Sequence, residues 1–155
     1  MQWSITTTSL QETHELGMAI ASVLRLGDII ALSGSLGAGK TSLVHGIGMG
    51  LGIQEAMPSP TFAIMRAYPI QPSGELLHLD AYRLQQLDTD HGMEDHANNT
   101  SIMAVEWPEH VPLLFQQATL FIQIHKVGVE QRAFTIQSND VRFERIFAHY
   151  GVAHS

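Results

Sequence analysis

The chain has 155 residues, 45% of them hydrophobic, with eight Lys and Arg against fifteen Asp and Glu for a net charge of −7. That is enough to build one domain with a core, expected over residues 1–155. The absence of cysteine excludes disulfides, thiolate zinc sites and cysteine nucleophiles. No apolar run reaches membrane-span length, the start Met1-Gln2-Trp3-Ser4-Ile5 has no basic, apolar export signal, and the acidic balance speaks against a large nucleic-acid surface. These readings lead to the expectation of a cytoplasmic protein with no membrane contact and no direct DNA contact.

Trp3 to Thr7 alternates weakly and reads as an edge strand. Ser9-Leu10-Gln11-Glu12 has the form of a capping box, and Leu16, Ile20, Val23 and Leu24 follow at helical spacing with Gly27 as a stop. Asp28 to Ser33 is a short apolar run of the kind buried on both sheet faces, and Thr41 to Met49 reads as a helix with Leu43, Val44 and Ile47 on one side. Gly50-Leu51-Gly52 breaks it, and Pro58-Ser59-Pro60 is rigid and extended. Phe62 to Tyr68 and Glu75 to Asp80, joined by the turn Gln71-Pro72-Ser73-Gly74, predict a hairpin. Asp88 to Asn99 is polar, a long loop with room for a short helix. Ser101 to Glu106 is another buried-type strand, stopped by Trp107-Pro108; Thr119 to His125 and Arg132 to Gln137 are further strands, and Asp140 to His149 is a closing helix. The order predicts a small α/β sandwich.

Between Asp28–Ser33 and Thr41–Met49 lies Gly34-Ser35-Leu36-Gly37-Ala38-Gly39-Lys40-Thr41, a complete G-x-x-x-x-G-K-[ST] phosphate loop. Its glycines let successive backbone N–H groups converge on one phosphate. Lys40 is expected to reach the β/γ-phosphates and the Thr41 hydroxyl to ligate Mg²⁺. A strand–glycine turn–helix order places the anion at a helix N-terminus, where unpaired N–H groups and the dipole favour it.

Asp80 and Glu106 each end an apolar strand. In open α/β sheets ligands sit beyond the carboxyl ends of the strands, so either acid can hold a metal or orient a water there; a turn acid is the plainer reading of each alone. Thr61, after the rigid Pro60, could reach the metal or the γ-phosphate, against a plain proline-fixed turn. His78, Asp80 and Tyr82 share one strand face by period-two alternation, beside Arg83; a functional cluster and a buried polar tie are equally consistent with that. The nine histidines are dispersed without an H-E-x-x-H pair, and Asp88-Thr89-Asp90-His91-Gly92 fails as a calcium loop at Met93 and Asn99. No [NT]-K-x-D motif marks a guanine reader. Arg83 to Lys126 encloses no lysine or arginine, while holding Asp88, Asp90, Glu94, Asp95, Glu106 and Glu109: an acidic docking face for a basic partner, or a solvated surface. Lid arginines could then come only from Arg132, Arg142 and Arg145, or from an arginine finger in trans.

Taken in order, Gly34–Thr41, Ser59-Pro60-Thr61-Phe62, His78-Leu79-Asp80-Ala81-Tyr82-Arg83-Leu84 and Val105-Glu106-Trp107-Pro108-Glu109 closely resemble the TsaE (YjeE) family of bacterial ATPases, from about Ser9 to about Gln137. The resemblance implies a single-domain phosphate-loop NTPase fold: a central, mostly parallel sheet flanked by helices, with a β-hairpin extension. It implies slow hydrolysis of MgATP to ADP in the service of threonylcarbamoyladenosine modification of tRNA, with TsaD and TsaB as partners and tRNA reached only through them. By this resemblance Gly34 and the run Gly37, Ala38, Gly39, Lys40, Thr41 and Ser42 contact the nucleotide, with Thr61 in a first switch region and Trp107 beside the site. Lys40, Asp80 and Glu106 are the catalytic set, Thr41 and Glu106 serve Mg²⁺, and Arg132 matches the basic residue expected at the start of the last strands. Ser35 stands where the family commonly has aspartate, and Glu94-Asp95-His96 departs from its usual acid–aspartate–tyrosine. Two other functions fit the loop: a small-molecule phosphate-loop kinase, and a nucleotide-dependent switch without significant hydrolysis.

Overall fold

The structure is a computed structural model and describes residues 1–35, 37–54, 57, 65–82, 97–150 and 153–154. The strands are β1 (Gln2–Thr7), β2 (Ile29–Ser33), β3 (Met65–Pro69), β4 (Glu75–Asp80), β5 (Ser101–Glu106), β6 (Leu120–Lys126), β7 (Arg132–Gln137) and β8 (Ala153–His154). The helices are α1 (Leu10–Ala21), α2 (Lys40–Gly50), α3 (Pro112–Gln117) and α4 (Arg142–Phe147), with a 3₁₀ turn at Pro108–His110. All eight strands join one sheet in the order β3-β4-β5-β2-β6-β7-β1-β8. Its centre, β4-β5-β2-β6, is parallel. β3 hairpins back on β4 at one edge, and β7, β1 and β8 continue antiparallel beyond β6.

Strand alternation divides the core into two layers. On one face Ile30, Leu32, Leu76, Ile102, Ile122, Phe134 and Trp3 pack against Leu16 and Ile20 of α1, Leu43 and Ile47 of α2, and Phe143 and Phe147 of α4. On the other, Ile29, Leu77, Leu79, Met103 and Val105 pack against Val111 and Leu114. β2 and β5, sandwiched on both faces, are accordingly almost continuously apolar. Among the described residues no helix is long and apolar enough to cross a membrane.

The α1–α2 contact fixes where the phosphate loop sits. A Cβ on Gly17 would fall 2.6 Å from Leu43 O, and one on Gly46 would fall 2.4 Å from His14 O, so the two helices touch backbone to backbone only because both residues lack a side chain. The N-cap of α1 is Ser9, whose hydroxyl accepts from Glu12 N at 3.1 Å. The Glu12 carboxylate does not complete a capping box on Ser9; it accepts from Thr8 N and the Thr8 hydroxyl. α1 ends at Ala21, and Val23 and Leu24 pack against the core from the connection beyond it. β8 pairs with β1 only at Gln2 and Trp3, so β1 is covered at its start, and Ser4 to Thr7 have no strand partner on that side among the described residues. Neither β8 nor α3 is visible in the sequence pattern: two residues of strand and six of helix are too short for a periodicity to register.

Candidate functional site

The site lies at the carboxyl ends of β2, β4 and β5. Leaving β2, the chain turns through Gly34–Gly39 and enters α2 at Lys40. Gly39 caps α2 with φ of 113°, a left-handed conformation that favours glycine. A Cβ here would fall 3.0 Å from the Nε of Arg132 on β7, which lies across the loop and would have to shift to admit it. No side chain caps α2, so the N–H groups of its first turn face the cleft.

Lys40 is only 5% exposed. Its Nζ donates to Gly34 O at 2.7 Å and Ser35 O at 2.9 Å, and sits 4.4 Å from the centre of the Trp107 ring. Burial pushes the ammonium below its usual range, and the carboxylates of Glu106, Asp80 and Glu109 oppose that shift. Trp107 adopts φ of 59°, the one non-glycine residue at positive φ among those described. For a bulky side chain this is a strained backbone, and it falls at the strand end where the ring must turn over Lys40. Its N–H donates to Leu32 O, and its ring also packs on Tyr82, centroids 4.9 Å apart.

Parallel pairing of β4 with β5 sets the acids. Asp80 is in register with Glu106, and His78 with Ala104, so all four side chains lie on the face shared with α2. Asp80 accepts from Tyr82 N at 3.0 Å. Glu106 is 5% exposed, and one of its oxygens, Oε2, accepts a short hydrogen bond from Nε2 of the fully buried His78. Arg66 of β3 stands in register with His78 from the other side.

Gly37, Ala38, Gly39, Lys40, Thr41, Ser42, Asp80, Glu106, Trp107 and Arg132 thus line one cleft of about 350 Å³. Gly34 lies behind it as a backbone acceptor for Lys40. Thr61, with the rest of Ser59-Pro60-Thr61-Phe62, and Arg83 and Glu94-Asp95-His96 lie outside the described residues. The three late arginines separate: Arg132 walls the cleft, while Arg142 and Arg145 line a different cleft with Arg25, beside the start of β2. A second cavity of about 350 Å³ shares Gly39, Ser42 and Arg132 with the first and adds Leu10, Thr13 and Glu130. Those three residues come from α1 and the β6–β7 connection, distant in sequence from the loop; no local signal marks them.

The donor set suits a hard cation. The cleft offers two hydroxyls, of Thr41 and Ser42, and two carboxylates, and among the described residues no three His, Asp or Glu cluster as a self-sufficient metal cage. That is the chemistry of Mg²⁺, which is held by one or two protein oxygens together with substrate phosphates. Lys40 and the N–H groups of the loop supply positive charge for an anion beside them.

The fold is thus a parallel-centred α/β sheet whose glycine loop delivers a lysine to a helix N-terminus, facing strand-end acids at the carboxyl edge of the sheet. The family model "Threonylcarbamoyl adenosine biosynthesis protein TsaE" matches residues 7–134. A TsaE protein of Streptomyces coelicolor is 47% identical over 104 residues, covering 62% of this chain and 67% of its own. That of Bacillus subtilis is 32% identical over 142 residues, covering 90% and 88%. The crystal structure of Bacillus subtilis YdiB superposes with a TM-score of 0.74 at 28% identity, covering 96% of this chain and 93% of that one. The chain belongs to the TsaE family of tRNA threonylcarbamoyladenosine biosynthesis proteins.

Proposed function

We propose that this protein is an ATPase of the threonylcarbamoyladenosine pathway, hydrolysing MgATP slowly by itself and acting on the TsaD–TsaB pair that carries out the transfer. The observation that carries this reading is the juxtaposition of Lys40 with Glu106 and Asp80 in one cleft at the end of the glycine loop. The triphosphate follows the loop, its β- and γ-oxygens accepting from the N–H groups of Gly37 to Thr41 and from Lys40. The nucleoside occupies the adjoining cavity over Gly39, between Leu10 and Arg132. When bound, Mg²⁺ neutralises phosphate charge. Thr41 and Glu106 hold it, and Asp80 orients the water that attacks the γ-phosphate in line. Arg132 donates to the carbonyls of Gly128, Val129 and Gln131, which restrains its guanidinium as the loop wall. Slow turnover follows from a cleft whose described arginine is tied down in this way.

The test is phosphate release from ATP by the pure protein, alone and with TsaD and TsaB, together with co-purification of the three with and without ATP. Stimulated release and nucleotide-dependent association are expected, and Glu106→Gln lowers turnover by about 100-fold while nucleotide still binds. No phosphate release under any of these conditions would leave a nucleotide switch, and ATP-dependent phosphorylation of a small acceptor would make the protein a kinase.

A further inference from the structure

His78 is 0% exposed and does not line the cleft; it lies behind it, two residues before Asp80 on the same strand face and diagonal to Glu106 across the β4–β5 ladder. A carboxylate can only accept, so Nε2–H of His78 donates to Oε2 of Glu106. Nδ1 of His78 is buried with no hydrogen-bond partner among the described residues. A buried imidazole whose single polar contact is a strand-end acid is expensive as core filling. Its one satisfied atom is spent on holding Glu106. Among the described residues the other oxygen of Glu106, Oε1, makes no hydrogen bond, although the residue lines the cleft.

We infer that His78 is a positioning residue: by fixing Oε2 of Glu106 it turns Oε1 toward the cleft and presets the carboxylate for a divalent cation bound with a nucleotide. The inference rests on the nucleotide reading of the cleft given above. His78 touches neither nucleotide nor cation. It acts through Glu106, as hydrogen-bond partners behind metal-ligating groups do. Register makes the arrangement specific. Residue 78 faces Ala104, whose small side chain leaves the diagonal path to Glu106 open.

The test compares His78→Gln, whose amide N–H reaches the position of Nε2, with His78→Asn, whose shorter amide does not. Asn also leaves the larger cavity, so a melt of each variant is read beside the metal affinity: a loss of Mn²⁺ affinity in Asn that exceeds its loss of stability relative to Gln assigns the effect to donation. Metal-free ADP affinity is measured first by calorimetry, then Mn²⁺ affinity of the ADP-saturated protein by electron paramagnetic resonance. Expected are unchanged ADP binding in both variants, Mn²⁺ affinity close to wild type in His78→Gln, and a loss of about tenfold or more in His78→Asn. Equal Mn²⁺ affinity in all three proteins, or equal loss in both variants, overturns the positioning role. Wild-type protein that binds no ADP overturns the nucleotide reading and the inference with it, a result distinct from the first two.

Discussion

The two ends of β2 carry two buried charge clusters that differ in one respect. At its start, Asp28 receives both Nη1 and Nη2 of Arg142 at 2.9 Å, and its Oδ2 also accepts from Arg25 N. Nε of Arg142 donates to Asp140 and Nη1 also to Val23 O. Asp28, Asp140 and Arg142 are paired with one another, and Arg142 is held still further above its already high value by hydrogen bonds to Asp28 and Asp140. At the other end, the direct partners of Lys40 among the described residues are two neutral carbonyls and a ring face. Glu106, bonded to His78, and Asp80, which accepts from Tyr82 N, border the same cleft. The first cluster is closed and ties α4 and the α1–β2 connection to the sheet. The second lines a cleft, and under the function proposed above a nucleotide would be the charge that Lys40 meets there. Burial alone therefore does not distinguish a structural charge from a functional one; whether its partners complete it does.

The sharpest way to break this comparison is to swap the expected losses. Arg142→Met leaves Asp28 buried and unpaired and is expected to cost about 3 kcal/mol of stability, several degrees in melting temperature, with ATP affinity unchanged. A variant that melts like wild type but binds ATP poorly would reverse the roles of the two ends. Gly46→Ala drives a methyl into the His14 backbone and is expected to cost about 1–2 kcal/mol, since overpacking outweighs the gain in helix propensity. Because α2 begins with Lys40, this variant should weaken nucleotide binding as well as stability, which Arg142→Met should not. Calorimetry beside a thermal melt checks both.

The smallest effect concerns pH. Burial, and then the neighbouring His45, hold His14 below its ordinary value of 6.5. The unfolded chain then binds that proton more readily than the folded one. Stability should fall as pH drops through 6.5 toward the folded value, and level off below it. His14→Gln should flatten that part of a melting-temperature profile, and an unchanged slope would assign it elsewhere.

The phosphate loop, the strands carrying Asp80 and Glu106, and α2 were legible because each is a local pattern: a motif, an apolar run, a helical stripe. The loop's strand and helix flanks lie within a residue or two of where the pattern puts them. What could not be read is set by pairing between distant segments. The contact of His78 with Glu106 depends on β4–β5 register across a connection of twenty residues. The division of labour between Arg132 and Arg142 depends on β7 running antiparallel to β6, which sends its start to the cleft and its end to the far side. The second cavity, with Leu10, Thr13 and Glu130, arises where α1 meets the β6–β7 connection. Glu12 bonding to Thr8 instead of Ser9 is a choice between neighbours that a four-residue pattern cannot make.

If the cleft around Lys40 serves a nucleotide, its lysine and the Arg142 cluster must answer differently to ATP. The most direct measurement is titration of ATP with Mg²⁺ into wild-type protein, Lys40→Ala and Arg142→Met by calorimetry, with a melt of each. Lys40→Ala is expected to lose roughly 100-fold or more in affinity with its stability intact, while Arg142→Met loses stability with its affinity intact. ATP bound equally by wild type and Lys40→Ala would contradict the nucleotide reading.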